Sequence, residues 1–317
     1  MGQNSCTLSS RRSRRFNGTK GRRATRLRQT RWVKFWKCGR FDLELGTKTY
    51  LMGIVNATPD SFSGDGVAAE KAVARALQMV EDGADILDIG GESTRPGAAK
   101  VSLEDELRRV LPVIEALANR VSIPLSIDTT KAVVARRAIE AGASIVNEVS
   151  GATFDKAMLS TLAPSDCGVI LMHLRGAPDA MQWSQKSGGE TDGKTDVIAE
   201  VTAFWRARRE AANVAGIGDE RLCFDAGFGF GKSVEENLEL IARGRELHMF
   251  GFPTLSGTSR KSTIGKILGG APVEERLMGT AATVALAIAG GADIVRVHDV
   301  RAMNDVVRVS DAICRSF

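Results

Sequence analysis

Short apolar runs recur along the chain, each followed by a polar cluster and then by a stretch of helical periodicity. The runs lie at 51–56, 86–90, 125–128, 144–149, 168–173, 222–225, 254–257 and 294–297. They are β-branched and apolar with little alternation, the pattern of parallel strands covered by helices. Helical periodicity begins near Ala68, Leu103, Lys131, Asp155, Asp196, Val234, Val273 and Met303. Ser102 and Ser233, each just ahead of an acidic first turn, read as N-caps. Gly83, Gly142 and Gly291 fall between helix and strand, where C-terminal caps belong. Upstream, Phe41-Asp42-Leu43-Glu44-Leu45 alternates with period two. Gly46-Thr47-Lys48 is a turn and Thr49-Tyr50-Leu51 resumes, so a β-hairpin is expected to lead into the first buried strand. Eight strand–helix units within residues 41–317 predict an α/β fold, a (β/α)8 TIM barrel with an N-terminal hairpin. An open doubly wound sheet is the alternative, less consistent with eight regular units.

Charge changes the picture at one end. The chain carries a net charge of +5, but residues 1–40 hold 13 Lys/Arg and no Asp or Glu. Without them 30 basic residues face 38 acidic ones, so the barrel itself is acidic and no nucleic-acid partner is expected for it. The first 40 residues, rich in Arg, Ser and Thr, are expected to form a disordered basic extension. A transit peptide, a basic arm for RNA or membrane, or an over-extended start are the other readings. The segment lacks the apolar core of a secretory signal. No apolar run approaches the roughly 20 residues of a membrane span. The five cysteines are scattered without zinc-site spacing, which fits a reducing compartment and a cytoplasmic location; an organelle follows if the extension is a transit peptide.

The active site of such a barrel lies at the C-terminal ends of its strands. Reading those ends gives Asn56, Asp88, Asp128, Asn147, His173, Asp225, Ser259-Arg260-Lys261 and Arg296 with His298. Every end is polar. Asp88 interrupts a buried run and needs a partner there. Asp128, Asn147, Asp225 and Lys261 mix acceptors and donors, as a flat heterocycle with N–H and amide edges requires. Asn56, Thr94, Arg95, Arg296 and His298 suit an anion, and the Asn56 amide oxygen also suits Mg2+. Plainer readings stand beside these. Asp128 could cap the following helix, Arg296 could pair with Asp293 or Asp299, and His298 could be a satisfied buried histidine. Lys261, beside Arg260, could serve a barrel aldolase as Schiff-base nucleophile. The run Asp225-Ala226-Gly227-Phe228-Gly229-Phe230-Gly231-Lys232 lacks dinucleotide spacing, and its phenylalanines read as walls for an aromatic substrate.

Together these stretches resemble the dihydropteroate synthases. Gly53-Ile54-Val55-Asn56-Ala57-Thr58-Pro59-Asp60-Ser61-Phe62-Ser63 is similar to the family's first signature, and the run from Asp88 to Gly97 to its second. Leu171-Met172-His173-Leu174-Arg175-Gly176, the Asp225–Lys232 run, Ser259-Arg260-Lys261-Ser262 and Arg296-Val297-His298 follow in the family's order. The resemblance covers about residues 41–317. It implies a transferase of folate biosynthesis that joins 6-hydroxymethyl-7,8-dihydropterin pyrophosphate to 4-aminobenzoate, giving 7,8-dihydropteroate and pyrophosphate. It further implies that Asp128, Asn147, Met172, Asp225 and Lys261 hold the pterin, with Asp128, Asp225, Lys261 and Arg95 catalytic. Asn56, Thr94, Arg95, Arg296 and His298 would hold the pyrophosphate, with Asn56 on Mg2+. Thr58, Phe62, Arg95, Pro96, Phe230, Lys261 and Ser262 would form the aminobenzoate pocket. A homodimer through the late helices, a dissociative substitution and a sulfonamide-binding site are further expectations.

Three departures stand out: Ser63-Gly64-Asp65-Gly66 where the family has Ser-Asp-Gly-Gly, Ala226 in place of proline, and Glu148 in place of aspartate. The competing readings are a pterin-binding methyltransferase, which needs no pyrophosphate set, and a catalytically silent pterin binder. Pyrophosphate release separates both from a synthase.

Overall fold

The computed structural model describes residues 1–2, 34–58, 65–92, 101–176 and 196–315. Ten strands occur among them: β1 (Phe35–Cys38), β2 (Phe41–Glu44), β3 (Tyr50–Asn56), β4 (Ile86–Gly90), β5 (Leu125–Asp128), β6 (Ile145–Glu148), β7 (Gly168–Met172), β8 (Leu222–Asp225), β9 (Thr254–Ser256) and β10 (Ile294–Val297). Strands β3 to β10 close a barrel in sequence order, β10 pairing with β3. All pairs in it are parallel. The apolar runs thus become the barrel wall, nearly every residue buried.

The helices are α1 (Asp65–Glu81), α2 (Leu103–Ala118), α3 (Ala132–Glu140), α4 (Met158–Leu162), α5 (Val197–Ala215), α6 (Val234–Ala242), α7 (Gly244–His248), α8 (Ser262–Ile267), α9 (Leu277–Ala289) and α10 (Val300–Cys314). Their ends follow the expected chemistry. The Ser102 hydroxyl accepts the Asp105 N–H at 3.1 Å, and Ser233 and Glu236 form a reciprocal capping box at α6. Gly83, Gly142 and Gly291 are left-handed, with φ of 100°, 117° and 100°. Two expectations need correction. The short helices α7 and α8 were not foreseen; α8 has only six residues, too few to show an apolar period. The hairpin lies upstream of its expected place. Its strands are β1 and β2, joined at Gly39-Arg40, so the Gly46–Lys48 turn links β2 to the barrel rather than closing the hairpin.

The hairpin packs on the barrel floor. Trp36 is fully buried and its indole N–H donates to the Arg221 carbonyl at 2.9 Å. An indole of this size contributes about 4 kcal/mol of apolar transfer. Gly39 N–H donates to Asp166 O at 2.8 Å, tying the turn to the residues before β7. The floor is thereby sealed, and the opposite end, where the strands finish in Asn56, Asp128, Glu148 and Asp225, is left for chemistry. No helix among the described residues is long and apolar enough to cross a membrane. The basic extension expected over residues 1–40 lies, from 3 to 33, outside the described residues; from Phe35 the chain is instead strand β1, held by the burial of Trp36.

Candidate active site

Residues from four strands meet around one guanidinium. Arg296, on β10, donates from Nε to Asp88 Oδ2 at 2.6 Å and from Nη2 to Asp128 Oδ2 at 2.7 Å. The same Asp88 oxygen accepts Asn147 Nδ2 at 3.0 Å. Asp88 (β4), Asp128 (β5) and Asn147 (β6) are all buried. Arg296 therefore pairs with neither Asp293 nor Asp299. Asp293 accepts the Thr254 N–H, and Asp299 pairs with Arg260. Asp128 does not cap α3 either: the first N–H of that helix, Ala132, is taken by Asp155 Oδ2 at 2.8 Å.

On the far side, Asp225 ends β8 and accepts Gly227 N–H at 2.7 Å. Lys261 donates to the Phe228 carbonyl, and its ammonium lies 4.3 Å from the centre of the Phe230 ring. That contact joins a cation to an aromatic face. Phe230 packs with Val149, Met172 and Leu174 in a small apolar cluster of its own, separate from the main core. Met172 therefore supplies an apolar wall beside the polar ring. Phe228 also lines a cavity of about 50 Å³ behind β8 and β9, with Trp205, Leu240 and Leu247.

The glycines in this run serve close backbone approach. Gly227 has φ 67°, and a Cβ on it would lie 1.9 Å from His173 O; one on Gly231, φ 66°, would lie 2.1 Å from Arg175 O. Lys232 fills the loop from beneath. It is 1% exposed, and its ammonium donates to the carbonyls of Gly227 at 3.0 Å, Phe230 at 3.2 Å and His173 at 3.4 Å. Three carbonyls match its three N–H donors. Sequence reasoning quoted Lys232 but gave it no role. A lysine inside a glycine-rich run after a buried strand is a signal that could have found it.

Burial dominates the electrostatics. The Asp128 carboxyl is pushed up to about 7, first by desolvation; Arg296 opposes this and Asp88, Glu106 and Glu148 reinforce it. Asp225 is raised for the same first reason, with Lys261 opposing. Lys261 is lowered to about 7 by desolvation, then by Arg296, against Asp225 and Asp128. Arg260 has no part in that shift; it is held by Asp299. Glu148 is buried. It is raised by desolvation while accepting Ser150 Oγ–H at 2.6 Å and the Ser150 and Ala152 N–H groups. It thereby fixes the turn after β6.

The anion set is partly in view. Asn56 ends β3, exposed, opposite Gly90 of β4. His298 follows β10. Its Nδ1 lies 3.0 Å from Ser259 Oγ, which also accepts the His298 N–H at 3.2 Å. His173, read as a strand-end residue, faces away from the ring: its Nε2 lies 3.3 Å from Glu200 on α5, and its ring edge meets Phe204. Thr58 is exposed just past β3, and Ser262 opens α8 beside Lys261. Phe62, Thr94, Arg95 and Pro96 lie outside the described residues. Residues 92 and 101 flank three of them and are tied together, Glu92 Oε1 accepting the Val101 N–H at 3.1 Å. Among the described residues no cluster of three or more His, Cys, Asp or Glu could hold a metal by itself.

Comparison with known proteins adds three findings. Residues 52–298 match the family of pterin binding enzymes. A curated relative from Synechocystis sp., dihydropteroate synthase, is 49% identical over 272 residues, covering 85% of this chain and 92% of that one. Two solved structures overlay at a TM-score of 0.78. One is Xanthomonas albilineans dihydropteroate synthase with 4-aminobenzoic acid, 43% identical, covering 89% of this chain and 98% of that one. The other is Burkholderia cenocepacia dihydropteroate synthase with 7,8-dihydropteroate, 41% identical, covering 89% and 96%.

Proposed function

The chain belongs to the dihydropteroate synthases of the pterin-binding enzyme family, and we propose that the strand-end ring described above carries out their condensation. The enzyme is a transferase: 6-hydroxymethyl-7,8-dihydropterin pyrophosphate and 4-aminobenzoate give 7,8-dihydropteroate and pyrophosphate. One observation carries the assignment of roles. Asp128, Asn147, Asp225 and Lys261 come from β5, β6, β8 and the β9–α8 turn, yet they face one buried space around Arg296. A pterin edge finds carboxylates there for its N–H groups, an amide for a donor–acceptor pair and an ammonium for its carbonyl.

The substitution fits a dissociative course. As the C–O bond to pyrophosphate breaks, positive charge grows on the pterin methylene. Asp128 and Asp225, fixed at low dielectric, lower the energy of that charge. Arg296, His298, Thr94 and Arg95 take the negative charge on the departing pyrophosphate. The neutral arylamine then attacks the methylene carbon and loses a proton. The arylamine is unprotonated at pH 7, so no strong base is required. Water would trap the cation, and the Met172–Phe230–Val149 cluster keeps that side apolar. Thr58, Phe62, Arg95, Pro96, Phe230, Lys261 and Ser262 form the aminobenzoate side, where sulfonamides, as its analogues, compete.

Asn56 suits a Mg2+ that arrives with the pyrophosphate. A hard cation takes oxygen ligands, and one already held by phosphates needs only one or two from the protein. Mg2+ there would neutralise charge on the leaving group. The chain forms a homodimer through its late helices, a reading supported by exposed apolar residues on that side: Met278 and Leu286 on α9, Val309 and Ile313 on α10. Unpaired cysteines at Cys38, Cys167 and Cys223 support the cytoplasm.

The test is pyrophosphate release from the pterin pyrophosphate with Mg2+, with and without 4-aminobenzoate. Release that depends on aminobenzoate and yields dihydropteroate is the expected result. Tight pterin binding without release would sink the assignment.

A further inference from the structure

Asp88 has no role in the account above, yet it is the carboxylate that ties Asn147 to Arg296. It sits in the middle of β4 and is fully buried. Its Oδ2 holds two residues from different halves of the site: Asn147 Nδ2 at 3.0 Å on the pterin side, and Arg296 Nε at 2.6 Å on the pyrophosphate side. Its Oδ1 is buried and has no partner among the described residues. The bond from Asn147 Nδ2 fixes that amide, so Asn147 Oδ1 is the acceptor it offers to a pterin N–H.

Arg296 commits its Nε–Nη2 edge to two carboxylates at once, Asp88 and Asp128. Asp128 is also the residue whose oxygens the pterin N–H groups require. The ring and Nη2 of Arg296 therefore compete for Oδ2 of Asp128. A pterin N–H that takes this oxygen detaches Nη2, while Nε stays on Asp88, whose carboxylate is fully buried. The guanidinium, still anchored at one nitrogen, is left with a charged donor in want of an acceptor, and a diphosphate beside the ring supplies it.

We propose that Asp88 is a positioning residue that couples the two half-sites: it orients Asn147 for the pterin and anchors Arg296 so that pterin binding transfers the guanidinium's second nitrogen from Asp128 to the diphosphate. The inference rests on the roles assigned above to Asp128, Asn147 and Arg296. It requires that the two halves of the substrate bind cooperatively even when they are separate molecules. Binding couplings of this type are on the order of tenfold and reciprocal.

The experiment is a calorimetric titration of inorganic pyrophosphate with Mg2+, in the absence and presence of saturating 6-hydroxymethylpterin, followed by the reverse titration. Wild-type protein should bind pyrophosphate about tenfold more tightly with the pterin present, and the pterin should gain by the same factor. Asp88→Asn keeps the shape and removes the charge that anchors Arg296; its coupling factor should fall close to one. The ratio compares two affinities of one protein sample, so a general loss of stability does not move it. Arg296→Lys is the second variant, for the case that Asp88→Asn fails to fold. A single ammonium cannot hold both acids by a shared edge, so coupling should be lost although the charge remains. If both ligands bind the wild type independently, the coupling is refuted and the assigned roles stand. Full coupling in Asp88→Asn would remove Asp88 as the anchor. Absence of binding by either ligand to the wild type would overturn the assigned roles and this inference with them.

Discussion

Substituting Gly227 by alanine tests whether the backbone approach between β7 and the loop after β8 holds the site together. Gly227 has φ 67°, a conformation that costs an L-residue about 1–2 kcal/mol. Its Cβ would lie 1.9 Å from the His173 carbonyl oxygen, where real contacts begin near 3.0 Å. The loop must therefore retreat by more than an ångström from main chain that cannot swing aside. That movement breaks the 2.7 Å bond from Gly227 N–H to Asp225, a charged hydrogen bond of about 1.5–3 kcal/mol. It also strains the Lys232 contacts to His173 O and Gly227 O. A total loss of about 3–5 kcal/mol follows. Gly216, which ends α5 with φ 98°, is the control. Its Cβ would meet only Ala163 Cβ at 3.8 Å, so Gly216→Ala should cost the conformational 1–2 kcal/mol alone, by the same left-handed penalty. Urea unfolding of both variants, with pterin affinity measured on the folded protein, separates the two contributions. Gly227→Ala should also weaken pterin binding, because Asp225 loses its orienting donor; Gly216→Ala should not. The reasoning fails if the two variants lie within about 0.5 kcal/mol of each other.

Three further outcomes are expected. The Asp128 carboxyl is raised from 3.8 to about 7, so ionising it costs the folded state nothing below pH 4, progressively more between 4 and 7, and the full amount above 7. Asp128→Asn should therefore exceed the wild type in stability at pH 8 by about 1–4 kcal/mol, converge with it near pH 4, and lose pterin binding; equal unfolding curves at pH 8 would contradict this. Chelating divalent cations with EDTA should stop pyrophosphate release yet leave the thermal melting curve unchanged, since no described cluster of ligands depends on a metal for its structure. Leu286→Glu, on the exposed face of α9, should shift the sedimentation coefficient from dimer towards monomer; a wild type that sediments as a monomer would remove the dimer reading.

The barrel was legible because a parallel strand buried on both faces writes itself as an uninterrupted apolar run. Of the eight runs, those at 86–90, 125–128, 222–225 and 294–297 coincide with β4, β5, β8 and β10. The hairpin was misplaced because Phe41–Leu45 alternates equally well with partners on either side; the pairing is decided by Trp36, which the floor of the barrel buries. The strand-end positions of Asp128, Asn147 and Asp225 were legible; their connections were not. Asp128 as a helix cap and Asp128 as a ring residue look alike in sequence, and only Asp155, 27 positions further on, settles who caps α3. Arg296 had acids within three residues on either side, at Asp293 and Asp299, but β-barrel closure brings it instead to Asp88 and Asp128, on strands with which β10 makes no direct pair. Such contacts carry no local signal.

The shifts in the site share one origin, and that origin explains its selectivity. Desolvation raises Asp128 and Asp225 and lowers Lys261 and Lys232, moving acids and bases towards each other. In water these groups would be satisfied at no cost; in the barrel each charged form is disfavoured, and the fold bears the difference. On the roles proposed above, a pterin edge relieves it by supplying donors to the acids and an acceptor to Lys261, which an apolar ring of equal size does not. An analogue lacking one N–H leaves a buried carboxylate oxygen unpaired and forfeits a charged hydrogen bond, about 1.5–3 kcal/mol or roughly 10- to 100-fold in affinity. The same desolvation then acts on the reaction. Two acids held at low dielectric, once ionised, stabilise a neighbouring cation far more than solvated ones could. On the dissociative course proposed above, the instability built into the ligand-free barrel and the stabilisation of the pterin cation left when pyrophosphate departs are one property of the strand ends, seen before and after the substrate arrives.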